Sequence, residues 1–304
     1  MTLWHTTWQL WHQHPRERVK LLLGGLFFAK STQRWLNYLH ERPALWRQMG
    51  DFPKLVTRIY RPYALRGLGC SQRVDHMMGH YDSLRRMGLC QLLAQSVDRP
   101  LDIVQLPTKC GTPAWLRLVS LYDGHREGEM HLQLHWADQW LYSLSFLLRP
   151  QGHGPNEQVQ MIITRLQGTR TGDARELIRS ATKAFHGLRP ASLLVQAARQ
   201  LAVSAGCSKV LLVSHRQRVA LNPVRRRRIQ TDLETLWLEL GAVAHPQGLF
   251  SIEPRVDIPT DFSAVASNKR AEARRRAELL QHTLCAVDAA VSACRARPAS
   301  EASA

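Results

Sequence analysis

Apolar residues follow two different periods along this chain. From Pro190, the residues Ser192, Gln196, Arg199, Gln200 and Ser204 recur at spacings of three and four on an otherwise apolar stretch. This predicts a mostly buried helix with one narrow polar stripe. Pro190 suits the first helical position, because its missing N–H would be an orphan there. Gly206 follows the last apolar turn, where a left-handed residue commonly ends a helix. Lys209-Val210-Leu211-Leu212-Val213 is then a short β-rich run that predicts an interior strand. A helix joined to a following buried strand by a tight loop is half of a crossover, so residues 158–167 are expected to supply the preceding strand of the same sheet.

Upstream, the period is helical as far as Arg99. Trp4, Trp8 and Trp11 share a helical face, a second helical run covers 15–39, Pro43, Pro53 and Pro62 interrupt, and a helix over 73–93 carries His80-Tyr81 and Arg85-Arg86. The tryptophan stripe reads either as the anchor of a terminal helix on a core or as a membrane-interface belt with basic neighbours. After Arg99-Pro100 the period changes to two. Strands are expected over 115–122, ending at a turn at Asp123-Gly124. The next covers 130–136, where Met130, Leu132, Leu134 and Trp136 alternate with His131, Gln133 and His135 to give one buried and one wetter face. Ala137-Asp138-Gln139 leads into Trp140, Tyr142, Leu144, Phe146 and Leu148, again at period two. Three strands thus form a meander. A Gly/Pro loop over 150–155 precedes the strand 159–166, which Gly168 closes.

A helix over 174–185 follows, and beyond the opening helix and strand Leu233, Leu236, Trp237 and Leu240 make an amphipathic helix ended by Gly241. Residues 242–245 and 249–253 read as a closing hairpin around Pro246-Gln247-Gly248. A long helix covers 269–294 and the tail from Arg297 frays. The expected fold class is α+β with an α/β-like core: a helical N-terminal region (1–99), a mixed, mainly antiparallel sheet flanked by helices (100–262), and a basic C-terminal helix with its tail (263–304).

Composition narrows the class. With 44% hydrophobic and 21% charged residues in 304, the chain reads as globular rather than disordered. The net charge of +17 points to an anionic partner, whether an anionic ligand, nucleic acid or an acidic membrane surface; a basic but inert surface is the other reading. Six cysteines without a C-x-x-C pair read as reduced thiols, which fits a cytoplasmic protein. The compact apolar run 21–29 is far short of the roughly twenty residues that span a bilayer, so no transmembrane segment is expected and a membrane-peripheral location is the alternative to a fully cytoplasmic one. Arg16, Arg18 and Lys20 precede that run as in a secretion signal, but the long segment before them and Lys30 after it argue against cleavage.

Fourteen histidines invite a metal. His131 and His135 lie on one strand face, yet four residues along a strand is about 13 Å, too far to share one ion, and no H-E-x-x-H occurs, so no metal is expected. The motifs of serine hydrolases, P-loops and dinucleotide-binding folds are likewise missing. His186-Gly187-Leu188-Arg189-Pro190 is the candidate site: a Gly-containing loop with an arginine at a helix N-terminus offers N–H groups, a dipole and a guanidinium to a phosphate or carboxylate. His186 is the titratable group beside it and the candidate acid or base. A purely structural reading has Gly187 make the turn and Arg189 satisfy nearby carbonyls. Past the buried strand come His215, Arg216 and Arg218, then Arg225, Arg226, Arg227 and Arg228; Lys269, Arg270, Arg274, Arg275 and Arg276 form a second basic cluster. Both read as phosphate-contacting patches or as solvated faces. Aromatic residues are not interleaved among these arginines, so single-strand stacking has little support.

His80-Tyr81, the meander, Thr182-Lys183 with His186-Gly187-Leu188-Arg189-Pro190, and Ser267-Asn268-Lys269-Arg270 with Arg274-Arg275-Arg276 together resemble the VirK/YbjX family of bacterial proteins, over about residues 32–282. The resemblance implies a cytoplasmic or membrane-peripheral protein linked to virulence, envelope integrity, antimicrobial-peptide resistance or stress, including DNA damage. It implies no catalytic residues. The order of elements is also similar to that of the acyl-CoA-dependent N-acyltransferase fold, which would make acyl-CoA the cofactor. This sequence departs from that fold's Arg/Gln-x-x-Gly-x-Gly/Ala loop and inserts a helix over 168–185.

Overall fold

The computed structural model describes residues 14–45, 53–97, 99–120, 126–152, 154, 157–219 and 233–296. Trp4, Trp8, Trp11, the Asp123-Gly124 turn, Arg225 to Arg228 and the tail from Arg297 lie outside them.

The N-terminal layer is helical as expected, but its helices are shorter than the periodicity suggests. The single run over 15–39 is two helices, α1 (Pro15–Phe27) and α2 (Ala29–His40), broken at Phe28, whose dihedrals leave the helical region. Gly24 lies so close to the Tyr60 ring that a Cβ there would stand 2.4 Å from it, and Phe28, at the break, stacks on the same ring. A short α3 (Lys54–Thr57) continues into a 3-10 turn at Arg58–Tyr60. The helix expected over 73–93 divides into α4 (Cys70–Arg86) and α5 (Cys90–Val97), because Gly88 between them is left-handed.

The sheet contains β1 (Leu101–Leu106), β2 (Ala114–Ser120), β3 (Met130–Trp136), β4 (Gln139–Gln151), β5 (Gln158–Gly168), β6 (Lys209–Val213), β7 (Val243–His245) and β8 (Leu249–Ile252) in the spatial order β1-β2-β3-β4-β5-β6-β8-β7. The expected three-stranded meander has a fourth strand, β1, in front of it. β4 also runs through Pro150 to Gln151, so the expected Gly/Pro loop starts later. Strands β5 and β6 pair in parallel, from Gln160↔Lys209 to Ile163↔Leu212. Between them run α6 (Ala174–Ala184) and α7 (Pro190–Ala205), the latter ending on Gly206 at φ 82°, which fits the crossover read from the sequence. After β6, α8 (Leu233–Glu239) drops Trp237 into the core, fully buried, with its Nε1–H on the Val213 carbonyl at 3.0 Å. The long α9 (Ser267–Ala296) packs along α7 and reaches β1.

Both faces of the sheet are covered, by α7 on one side and by α4 on the other. The second face of β3 is therefore drier than its alternation suggests: His131 is buried and its Nδ1 lies 2.8 Å from Ser145 Oγ, and His135 is half-buried. One apolar core runs from Leu21 to Cys294 and draws on the N-terminal helices, the sheet and α9 alike.

A buried ionic group joins the helical layer to the sheet. Glu129, at the entrance to β3 and fully buried, accepts two bonds from Arg58 Nη1 at 2.7 and 2.6 Å and one from the Tyr81 hydroxyl at 2.8 Å. Burial alone would push this carboxyl up, but the Arg58 charge and its hydrogen bonds hold it below its usual range. His80 is the neighbour of this group; its Nδ1 accepts the Leu148 N–H at 3.0 Å. Burial pushes the His80 imidazole down to about 4 from its ordinary 6.5, and Glu129 opposes this only in part. The ring is thus neutral in the fold but takes a proton near pH 6.5 in the unfolded chain. Its contribution to stability is fully present above that pH and is lost as pH falls toward 4, on the order of 3 kcal/mol. Denaturant midpoints of the protein and of His80→Asn between pH 7.5 and 4 check this: the variant should show a flatter acid slope, and equal slopes would refute the assignment.

Candidate functional site

Strand register places Leu106, Ala114, Trp136, Gln139 and Gly168 at one end of the sheet, the end at which the parallel strands β5 and β6 finish. Helix α7 runs back from this end, so the loop before it, His186 to Arg189, sits there too. The loop closes α6: His186 and Gly187 are both left-handed, at φ 54° and 81°. The Gly187 N–H reaches the Thr182 carbonyl at 2.8 Å and the His186 N–H reaches Lys183, which is a Schellman-type helix end. Leu188 N–H bonds the Phe185 carbonyl. The His186, Gly187 and Leu188 N–H groups are therefore already taken by α6 and its own turn. Arg189 is engaged as well, with Nη1 2.6 Å from Glu239 on α8, both side chains well exposed.

The loop nevertheless borders a cavity of about 590 Å³, lined by Gly187, Lys109, Cys110, Trp136, Lys183 and Glu272 among others. Lys109 arrives from the β1–β2 connection, fixed by its N–H on the Ala184 carbonyl at 2.9 Å, and its ammonium stands 3.7 Å from Glu272 of α9. From α9 also comes Arg276, whose Nε–H donates to the His186 carbonyl at 3.0 Å and whose guanidinium lies against Gly187 so closely that a Cβ there would meet it at 3.0 Å. The two stretches singled out in the sequence, the His186 loop and the basic start of α9, thus meet in space. His186 keeps a buried Nδ1 with no hydrogen-bond partner among the described residues. Partial burial and then the Arg275 charge hold its ring below the ordinary histidine value.

The remaining predicted residues separate. Arg218 is buried against Arg165, Arg170 and Glu127, apart from the His186 loop. Its backbone bridges to Leu65, and its Nη1 has no hydrogen-bond partner among the described residues. Arg216 is exposed. Arg270 bonds the Val265 and Ser263 carbonyls ahead of α9. Lys269 is exposed, and Arg274 faces a separate groove formed with residues 258–263 and His282. The described residues hold no cluster of metal-ligating side chains, and no helix among them is long and apolar enough to cross a membrane.

Three cavity residues carried no signal in the sequence. Lys109, Cys110 and Trp136 come from loop and strand ends far from the His186 loop in the chain. The Cys110 thiol is exposed, and the Thr108 hydroxyl at 3.3 Å together with the Thr112 backbone draws its proton affinity down.

Architecture and site together define an α+β protein with one mixed eight-stranded sheet and a cavity with two lysines on its wall beside the His186 loop. The chain belongs to a family described as "Protein of unknown function (DUF535)", which matches residues 11–289. It is 27% identical over 279 residues to the "Uncharacterized protein YbjX" of Escherichia coli (strain K12), covering 90% of this chain and 82% of the relative. The VirK/YbjX resemblance therefore stands. An uncharacterised protein of Haemophilus influenzae (strain ATCC 51907 / DSM 11121 / KW20 / Rd) is 30% identical over 124 residues, 40% of each chain. Among solved structures, two mutant forms of a cAMP-binding acyltransferase from Mycobacterium smegmatis align with the chain. One does so at a TM-score of 0.31 and 13% identity, over 70% of this chain and 64% of its own; the other at 0.26 and 12%, over 72% and 63%. The chain thus spans less than two thirds of the length of these solved chains.

Proposed function

We propose that the protein binds a small anionic ligand, bearing phosphate or carboxylate groups, in the cavity beside the His186 loop. The observation that supports this best is the cavity itself: about 590 Å³, within the size range of small-molecule sites, with Lys109 and Lys183 on its wall and Arg275 acting on the adjoining His186. In this reading the lysines and Arg275 supply charge and Trp136 supplies an apolar wall. The physiological setting carried by the family resemblance, a stress- or virulence-associated role at the envelope or in the DNA-damage response, is part of the same proposal. The basic surface makes nucleic acid the competing anion; negligible affinity for DNA at low salt would remove it, since counterion release is strongest there.

A second reading, an acyl-CoA-dependent transferase, has one observation in its favour. Strands β5 and β6 pair in parallel from Gln160 to Ile163, and β5 runs on past the end of β6 to Gly168, toward the end of the sheet where the cavity lies. Thermal-shift measurements on the full chain with inorganic phosphate, acetyl-CoA and longer acyl-CoAs separate these readings. A ligand at a hundred times its Kd should stabilise the protein by about 2.7 kcal/mol. The double variant Lys183→Glu/Arg275→Glu should lose that shift while its unliganded stability stays within about 1 kcal/mol, because both side chains are exposed. Stabilisation by phosphate without any by acyl-CoA sinks the enzyme reading; no shift with any of these anions sinks both.

A further inference from the structure

Helix α1 is mounted with its polarity inverted. Its inward side presents Glu17, Leu21, Gly24 and Gly25, and Gly24 seats directly on the Tyr60 ring. Its outward side presents Val19, Leu23, Leu26 and Phe27 at spacings of four, three and one, with Phe28 at the break beyond. Exposure rises along this stripe from 49% at Val19 to 78% at Leu26 and 80% at Phe27. Eight large apolar side chains are exposed among the described residues and five lie within this stretch, so the face is a patch and not scatter.

The segment that carries the patch is rich in positive charge, though Arg34 is paired with Asp75 at 2.7 Å. Residues 1–40 contain five lysines and arginines (Arg16, Arg18, Lys20, Lys30, Arg34) against a single acid, Glu17. That acid is buried and neutralised from within, accepting from Lys20 at 2.5 Å, from Arg61 at 3.4 Å and from the Thr57 hydroxyl. Arg16 and Lys30 are exposed at the two ends of the stripe. The sequence just ahead of α1 adds Trp4, Trp8 and Trp11 at helical spacing, residues suited to the boundary between headgroups and acyl chains. A helix of 13 residues is about 20 Å long, too short to span a hydrocarbon core of about 30 Å but suited to lying along its surface. Five side chains of this size offer on the order of 500 Å², less than the ~800 Å² that each partner contributes to a stable protein interface.

We infer that the outer face of α1 is a membrane-docking surface: Leu23, Leu26 and Phe27 enter the headgroup region of a bilayer, and Arg16 and Lys30 bind its anionic lipids. This interaction is independent of the cavity and of any ligand there. It makes the protein peripheral, held by one shallow helix together with the basic surface.

Flotation of the full chain with vesicles tests it. The protein is expected to float with phosphatidylcholine vesicles containing a quarter phosphatidylglycerol, less with phosphatidylcholine alone, and less again as salt rises. Leu26→Asp/Phe27→Asp should lower partitioning at least tenfold with an unchanged melting temperature, because both side chains are already in solvent. Equal flotation of this variant and the parent would overturn the proposal and leave only the basic surface as the attachment. So would dimerisation of the parent that the double variant abolishes without any vesicle binding, since the face would then cover a second copy. If the parent ignores vesicles and Trp4→Ser/Trp8→Ser/Trp11→Ser binds them, the preceding segment covers the face and the proposal fails.

Discussion

Replacing Glu129 with alanine should destabilise the protein by about 3–5 kcal/mol, because it leaves the Arg58 guanidinium charged and without its carboxylate at 5% exposure. Arg58→Ala should cost a similar amount for the converse reason. The double variant Arg58→Met/Glu129→Leu removes both charges and fills much of the space, and it should recover most of that loss. Denaturant unfolding of the four proteins compares these losses. A Glu129→Ala penalty below about 1 kcal/mol would mean that the pair does not hold the helical layer on the sheet. The pair then acts as a register pin: Arg58 reaches the head of β3 only when the 3-10 turn and α4 sit at one position along the strands.

Trp237→Ala is the second large effect, about 3–5 kcal/mol, from the loss of a fully buried indole and of its bond to the Val213 carbonyl. Trp237→Phe keeps most of the volume and should lose about 1 kcal/mol through the unanswered carbonyl. Thermal or denaturant unfolding reads both, and a near-neutral Trp237→Ala would show that α8 is not anchored by this residue. Helix α8 also carries Glu239, the partner of Arg189, so loosening the anchor should loosen the loop. The Arg189–Glu239 pair alone is exposed on both sides and contributes little.

The parts of the fold that were legible in the sequence are those whose burial is one-sided or complete. The polar stripe of α7, Gly206 and the run 209–213 gave the parallel crossover, and Pro246-Gln247-Gly248 gave the closing hairpin. β1 was not legible because its residues are mostly half-exposed and show no strict alternation. The seat of Gly24 and Phe28 on the Tyr60 ring was hidden because that partner lies far along the chain. The site divides in the same way. The turn at His186-Gly187 could be read locally, whereas its contact with Arg276 spans 90 residues and the Arg58–Glu129 pair spans 71. Spacing rules see only neighbours, so long-range ion pairs carry no sequence signal. Within the loop, the left-handed pair that makes the turn directs the His186 and Gly187 donors back onto α6.

The two ends of the sheet bear on how the molecule meets its own kind. An open sheet exposes a row of unpaired N–H and C=O groups at each margin, a template on which further strands can grow. At one margin, β1 carries a register shift between Asp102 and Val104 and is flanked by α9, whose alanine-rich second half lies along it. At the other, β7 is only three residues long and stops at Pro246. A bulge under a helix and a strand too brief to template are both devices against edge-to-edge growth. The sheet is therefore finite by construction, and α9, which helps to form the cavity at its N-terminal end, guards against aggregation along the rest of its length.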